Sequence, residues 1–179
     1  MAPSIIARGV EFSNRWLEVV RKEVDLGAPR GLEAFWSVRT GQYAAVLAVT
    51  TDGRVPLVRV YRPAVEQHVL ELPSGGVDSG EAPEIAIRRE LREETGCEAN
   101  ELRLLGQLHT DSGRMETTQW AFYAPNVRVV DHGPSGDEPL ELVWTDLPGL
   151  RESIVAGEFA MSVHLGVVAC ALITGGVQL

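Results

Sequence analysis

The chain has 179 residues, of which 45% are hydrophobic and 23% charged, and its formal net charge is −9. This length suits one domain with a substantial buried core, and the composition is ordinary for a folded soluble protein. The acidic balance argues against general nucleic-acid binding, which needs a basic face. A polyanionic small molecule could still bind through a local cationic site or through metal ions.

The sequence shows no targeting or membrane signal. The apolar C-terminal stretch, residues 159–173, is interrupted by His164 and is shorter than a membrane span. The first residues lack the basic-then-apolar pattern of a secretion signal, and Cys97 and Cys170 have no metal-ligand spacing. We therefore expect a cytoplasmic protein that has reduced cysteines and contacts no membrane.

Three extended segments, separated by Gly and Pro, open the chain. They cover residues 5–12, 15–24 and 32–39, and they mix aromatic and β-branched residues with charges, as exposed strands do. We predict that residues 1–43 form a small N-terminal antiparallel β-region and that residues 44–179 form the main domain.

The next pair of segments predicts a β-hairpin. Residues 43–50 (YAAVLAVT) are a continuous apolar run, as in a buried central strand. Asp52 and Gly53 supply a turn, and residues 55–61 return as the partner strand.

Further strands and helices follow toward the C-terminus. Strands are predicted at residues 102–109, 119–124 and 140–144, then a short helix after Pro148-Gly149 and a final helix over about residues 158–174. Together with the helix described next, this order of elements indicates an α/β sandwich around a mixed β-sheet.

A central helix carries a cluster of glutamates. It is predicted over residues 82–95, and Gly96 supplies the left-handed C-cap position. At about 100° per residue, Glu90, Glu93 and Glu94 fall on one side of this helix, beside its apolar face. Like charges at this spacing repel one another, so a helix built for stability alone would avoid them.

Divalent cations explain such a cluster. Mg²⁺ takes oxygen ligands and is commonly shared between carboxylates and substrate phosphates. The turn Ser74-Gly75-Gly76 lies just upstream and allows the backbone to approach a ligand closely, with a carbonyl as a further metal ligand. The alternative is an amphipathic helix whose glutamates are merely solvated.

One spacing, G-x5-E-x7-R-E-U-x-E-E-x-G-U with U a bulky apolar residue, covers both the turn and the helix. It resembles the signature of the Nudix hydrolases, which cleave nucleoside diphosphates linked to another moiety with the help of Mg²⁺ or Mn²⁺. The resemblance implies an α/β/α sandwich with a mixed sheet, and Cys97 is a mild variation at the last apolar position. The matching residues are Gly75, Glu81, Arg89, Glu90, Leu91, Glu93, Glu94, Gly96 and Cys97.

The resemblance assigns metal ligands by position. Glu90 and Glu94 would be the main ligands of Mg²⁺, with Glu93 as a third carboxylate. A backbone carbonyl of Ser74 or Gly75 would complete the shell.

It also implies catalytic roles. Glu93 and Glu94 would act in catalysis through the metal site. Arg89 would orient the glutamates by a charge-assisted contact, and Glu81 would support them.

A second stretch narrows the resemblance. The segments VYRPAV (residues 60–65) and LELPSGG (residues 70–76) resemble the lead-in of the ADP-ribose pyrophosphatase and nucleoside-diphosphate-sugar branch. In that branch Arg62 and Glu71 would line the substrate pocket. The small N-terminal domain is commonly exchanged between two subunits there, which implies a homodimer.

The loop DSGRME (residues 111–116) lies where ADP-ribose enzymes often show S-P-G followed by an acidic residue. Ser112 replaces the proline, which leaves other nucleoside-diphosphate sugars open as substrates. Gly113 remains, and Arg114 adds a cation that could contact a phosphate or the terminal ribose.

The general base in this branch often comes from a late acidic loop. We favour Glu138 over Glu141, which is predicted to begin a strand, and Glu116 is a further candidate. The partner is then a small nucleoside diphosphate derivative. Two alternatives remain, a housecleaning nucleoside triphosphate pyrophosphatase and a non-catalytic ligand sensor.

Overall fold

The computed structural model describes residues 2–131, 133–135, 139–174 and 176–177. The chain forms two compact units. Unit 1 comprises Met1–Gln42 and His109–Thr118, and unit 2 comprises Tyr43–Leu108 and Gln119–Leu179.

Unit 1 is built on a three-stranded antiparallel sheet. Its strands β1 (Ser4–Ser13), β2 (Leu17–Asp25) and β3 (Leu32–Thr40) lie in chain order, close to the predicted bounds. β1 is solvent-exposed along its whole length. The unit leaves large apolar side chains exposed, among them Ile6, Phe12, Trp16, Leu32, Phe35 and Trp36.

Within its described residues, unit 2 contains two further sheets and three helices. The strands are β4 (Tyr43–Thr50), β5 (Arg54–Arg62), β6 (Gln67–Glu71), β7 (Ser74–Gly76), β8 (Cys97–Glu98), β9 (Arg103–His109), β10 (Thr118–Val129) and β11 (Leu140–Asp146). The helices are α1 (Pro83–Thr95), α2 (Leu147–Ala156) and α3 (Ser162–Ile173). One sheet has the order β7-β4-β10-β8 with β9 also paired to β10, and the other has the order β11-β5-β6.

The first of these sheets is mixed and lies between helices. β4 and β10 run parallel, while β7 and β8 are antiparallel to their neighbours. Alternate residues of β4 enter opposite cores, because successive strand side chains point to opposite faces. Val46 packs with Ile87 of α1, and Leu47 packs with Val167 of α3. The predicted α/β/α sandwich with a mixed sheet and an added antiparallel region is confirmed.

The predicted hairpin between β4 and β5 is wrong. The turn exists, since Gly53 has a positive φ of 85° and donates its N–H to the Thr50 carbonyl at 3.0 Å. However, β4 pairs with β7 and β10, whereas β5 pairs with β6 and β11. β4 is buried on both faces, and so is β5 over residues 55–58, so each strand can pair with strands of a different sheet.

The bounds of the helices differ from the predictions mainly at their starts. α1 begins at Pro83 and ends at Thr95, and the next residue, Gly96 (φ 68°), donates to the Arg92 carbonyl as a left-handed C-cap. α2 already includes Pro148, because Asp146 caps it by accepting a hydrogen bond from the Gly149 N–H at 2.8 Å. α3 begins only at Ser162. Across the described residues, no helix is both long and apolar enough to span a bilayer.

Candidate active site

Helix α1 is held against β7 through one of its glutamates. Ile87 and Leu91 are fully buried and anchor the helix on the sheet. Glu94 is only 8% exposed, and its Oε2 accepts a hydrogen bond from the backbone N–H of Ser74 at 2.8 Å. This charge-assisted bond ties the helix to the first residue of β7.

Glu90 lies against the glycine turn. A Cβ added at Gly75 would overlap the Glu90 carboxylate, whereas a Cβ added at Gly76 would meet no atom within 4 Å. Gly75 is therefore needed for a close approach between the backbone and a charged side chain. The approach places the Glu90 carboxylate beside the Ser74-Gly75 backbone.

Arg89 connects the acidic side chains. Its Nη1 donates to Glu90 at 2.6 Å and to Glu93 at 3.3 Å. Its Nε and Nη2 each lie 3.4 Å from an oxygen of Glu81, and Nη2 also donates to the Gly76 carbonyl at 3.2 Å. One guanidinium thus bridges the glycine turn and three glutamates.

The same contacts shift the ionisation of the partners. Hydrogen bonds to Glu81 and then to Glu90 raise the pKa of Arg89 further, so its guanidinium stays charged. The hydrogen bond from Arg89, and next the bond from the Asp78 N–H, lower the pKa of Glu81. Each charge therefore stabilises its partner in the ionised form.

No three His, Cys, Asp or Glu side chains among the described residues stand together as a ready metal-binding group. Glu90 and Glu93 contact Arg89, and Glu94 contacts the Ser74 amide. The available donors are carboxylate and carbonyl oxygens, which suit a hard divalent cation. Gly75 leaves room for the Glu90 carboxylate at the turn, so the residues fit such an ion.

A second charged pair lies on strands β5 and β6. Arg62 Nε and Nη2 donate to the two carboxylate oxygens of Glu71, each at 2.9 Å. The Glu71 side chain is 1% exposed and the Arg62 side chain 39%. Both residues line a cavity of about 640 Å³, together with Arg59 and Met161. This volume is in the range of small-molecule binding sites.

Gly113 and Arg114 lie in a loop of unit 1 that is attached to β3. The Val38 N–H donates to the Arg114 carbonyl at 2.7 Å, and the Glu116 N–H donates to the Val38 carbonyl at 2.9 Å. The Arg114 side chain is 83% exposed and lies 3.6 Å from Asp111. Apart from the base candidate Glu116, the other described site residues belong to unit 2.

Glu116 is held by three partners within unit 1. Its carboxylate lies 2.5 Å from Lys22 Nζ, 2.7 Å from Ser37 Oγ and 2.9 Å from Arg39 Nε. These hydrogen bonds, that of Lys22 first, lower the pKa of Glu116 to about 2. So acidic a carboxyl group is a poor proton acceptor near neutral pH, which disfavours Glu116 as a general base.

The favoured general base, Glu138, lies outside the described residues. Its alternative, Glu141, lies on β11 opposite Arg59, 3.5 Å from the Arg59 guanidinium, with a side chain that is 65% exposed. The choice of Glu138 stays a prediction.

The sequence did not point to one buried polar link. His164 on α3 is fully buried; its Nδ1 accepts a hydrogen bond from the Leu72 N–H at 3.1 Å, and its Nε2 lies 3.0 Å from Tyr43 Oη. Burial lowers the pKa of His164 to about 4 and raises that of Tyr43. The three residues are far apart in the chain, so no local pattern could have connected them.

Comparison with known proteins identifies the family to which this fold belongs. A profile of the NUDIX domain matches residues 40–157. The chain therefore belongs to the Nudix family, and it is a Nudix hydrolase as the motif predicted.

Two relatives and one solved structure illustrate the likeness. The chain is 31% identical to the ADP-ribose pyrophosphatase of Bacillus subtilis (strain 168) over 134 residues, which span 74% of this chain and 71% of that protein. It is 33% identical to the methanol dehydrogenase activator of Bacillus methanolicus over 128 residues, 71% of this chain and 68% of that protein. The crystal structure of an ADP compounds hydrolase matches with a TM-score of 0.84 and 19% identity, covering 100% of this chain and 98% of that one, and shows the shared fold.

Proposed function

We propose that this protein hydrolyses the diphosphate bond of ADP-ribose or a related nucleoside-diphosphate sugar in the presence of Mg²⁺ or Mn²⁺. The products are a nucleoside monophosphate and a sugar phosphate. The observation that carries the proposal is the packing of Glu90 and Glu94 on the Ser74-Gly75 backbone. The similarity to an ADP-ribose pyrophosphatase supports the substrate class.

The metal ligands in this proposal are Glu90, Glu94 and a carbonyl of Ser74 or Gly75, with Glu93 as a further carboxylate. Bound Mg²⁺ would act as a Lewis acid and neutralise negative charge on the diphosphate oxygens. Glu90 and Glu93 contact Arg89 in the structure, and each carboxylate has further acceptor positions that would hold the ion.

In this proposal two arginines orient other groups of the site. Arg89 keeps three glutamates on one side of the turn, because each shares its guanidinium. We propose that the cavity beside Arg62 and Glu71 takes one end of the substrate, with the buried Glu71 fixing the orientation of Arg62. Gly113 and Arg114 are proposed as further substrate-binding residues, and Glu138 as the general base.

A substrate panel tests this function. Purified protein with Mg²⁺ is assayed against ADP-ribose, sugar nucleotides, dinucleotides and nucleoside triphosphates. We expect monophosphate release from ADP-ribose or a sugar nucleotide. Turnover of triphosphates alone would support the housecleaning alternative, and tight binding without any turnover would support the sensor alternative.

A pair of variants on one helix tests the metal assignment. Glu94→Gln removes one ligand charge with little change in volume. Loss of a residue that supports a metal ligand costs up to about 100-fold in activity, so loss of a direct ligand is expected to lower kcat by at least about 100-fold. Glu84→Gln, in the exposed first turn of α1, is the matched control and keeps wild-type turnover. Wild-type activity in Glu94→Gln would refute the assignment.

We further propose that the protein is a homodimer through unit 1. The support is the number of large apolar side chains that unit 1 exposes, because exposed apolar surface marks interaction sites. Light scattering after size exclusion is expected to show a dimer for the wild type and a monomer for Ile6→Glu with Phe12→Glu. Val155→Glu, at an apolar residue on α2 of unit 2 that is 81% exposed, is the control. A wild-type monomer at micromolar concentration contradicts the proposal.

A further inference from the structure

The segment from Glu71 to Ser74 links the two charged groups of the site. At one end Glu71 holds Arg62, and at the other the Ser74 N–H donates to Glu94. Between them, the Pro73 carbonyl accepts a hydrogen bond from the Val46 N–H at 3.0 Å. The position of this short segment therefore sets both the lining of the cavity and the approach of the glycine turn to helix α1.

His164 holds the same segment from another helix. Its Nδ1 accepts the Leu72 N–H, and an acceptor nitrogen carries no proton, so the neutral ring bears its proton on Nε2 and donates it to Tyr43 Oη. Because the ring is fully buried, each bond also satisfies a polar group that has no access to water. One tautomer thus joins α3, β4 and the segment.

We propose that His164 is a positioning residue for the reaction, which acts by holding the Leu72 amide in place. With this amide fixed, Glu71 keeps its contact with Arg62, and the Ser74 N–H keeps its contact with Glu94. This inference rests on the proposed function. It assigns a role to a side chain that belongs to neither the glutamate cluster nor the cavity lining. The role depends on Nδ1 and the Leu72 bond, while the bond to Tyr43 contributes to stability alone.

Three substitutions separate the two bonds of the ring. His164→Asn places an amide oxygen near the position of Nδ1 and can still accept the Leu72 N–H, but it cannot reach Tyr43. His164→Gln places its amide near the position of Nε2 and loses the Leu72 bond. Tyr43→Phe removes only the bond at Nε2. It is the matched control, because it lowers stability while the bond between His164 and the Leu72 N–H is kept.

Turnover is measured with saturating substrate and Mg²⁺ well below the melting temperature of every variant. We expect His164→Gln to lower kcat by about 10- to 100-fold, the range for a small misplacement of reacting groups, with a smaller change in KM. His164→Asn and Tyr43→Phe are expected to stay within about threefold of the wild type, although all three variants melt earlier. If kcat instead follows the melting temperature across the set, His164 has a purely structural role and the inference fails.

Hydrogen exchange gives a readout that does not need activity. The Leu72 and Ser74 amides are expected to exchange faster in His164→Gln but to stay protected in His164→Asn and Tyr43→Phe. Equal protection in all variants would overturn the inference. A wild-type protein that turns over none of the panel contradicts the proposed function, and the exchange data then still decide whether His164 holds the segment.

Discussion

Arg62 and Glu71 form a two-bond ion pair in which the carboxylate is buried and the guanidinium is partly solvated. A buried carboxylate without its cation is costly, because desolvation of the charge is no longer offset. The pair therefore matters for folding as well as for the cavity that it lines.

A double-mutant cycle measures this coupling. Arg62→Ala is expected to lower the free energy of unfolding by about 2 kcal/mol, because it strands the Glu71 charge. Glu71→Gln removes that charge, so the double variant should cost about 1–2 kcal/mol less than the sum of the single variants. Urea unfolding of the four proteins gives the coupling, and additive costs would show that the two side chains act independently.

Two adjacent glycines make a sharp test of the turn. Gly75→Ala places a methyl group where the Glu90 carboxylate lies and is expected to lower turnover by about 10- to 100-fold through misplacement of this proposed metal ligand. In Gly76→Ala the added methyl group meets open space, so this variant should keep the turnover of the wild type and its dependence on Mg²⁺. Similar behaviour of the two variants would mean that the close approach at Gly75 is not needed.

Glu116 predicts a pH dependence of stability. Its pKa falls from an ordinary value of 4.5 to about 2 in the folded protein. A depressed folded pKa gives stability that is present above about pH 4.5 and is lost as the pH falls toward 2. Between these values the wild type should lose its advantage over Glu116→Gln, as measured by denaturant unfolding. Glu101→Gln, at an exposed side chain, is the control; a constant difference between wild type and Glu116→Gln would contradict the prediction.

Gln119 offers a stabilising substitution. Its side chain is fully buried, and within the described part of the chain neither of its amide atoms has a hydrogen-bond partner. Gln119→Met keeps the length and removes two buried polar atoms, so it is expected to raise the free energy of unfolding by about 1 kcal/mol. Gln107→Met, at an exposed strand position, should have no effect. A destabilised Gln119→Met protein would indicate that the amide is satisfied in solution.

The sequence predicted what depends on local patterns. Helix α1 was predicted to within one residue, since Pro83 and Gly96 mark its ends and the glutamates have fixed spacing. The strands of unit 1 followed from composition in the same way. The pairing of β4 with β10 could not be predicted, because it joins segments that are distant in the chain and lies beyond a turn that favours a hairpin.

The site was predictable to a similar degree. Arg89, Glu90, Glu93 and Glu94 lie on one helix, so their proximity follows from helical geometry. The Ser74–Glu94 and Leu72–His164 bonds depend on how α1 and α3 pack on the sheet. Only the folded structure shows them.

The guanidinium of Arg89 has a consequence for how the molecule matures. It gives the acidic surface of α1 a resident counter-charge, so the chain can reach its native state before any ion is available. Under the proposed function, Mg²⁺ would then join a surface that is already assembled, and a cell short of the ion would still contain folded protein.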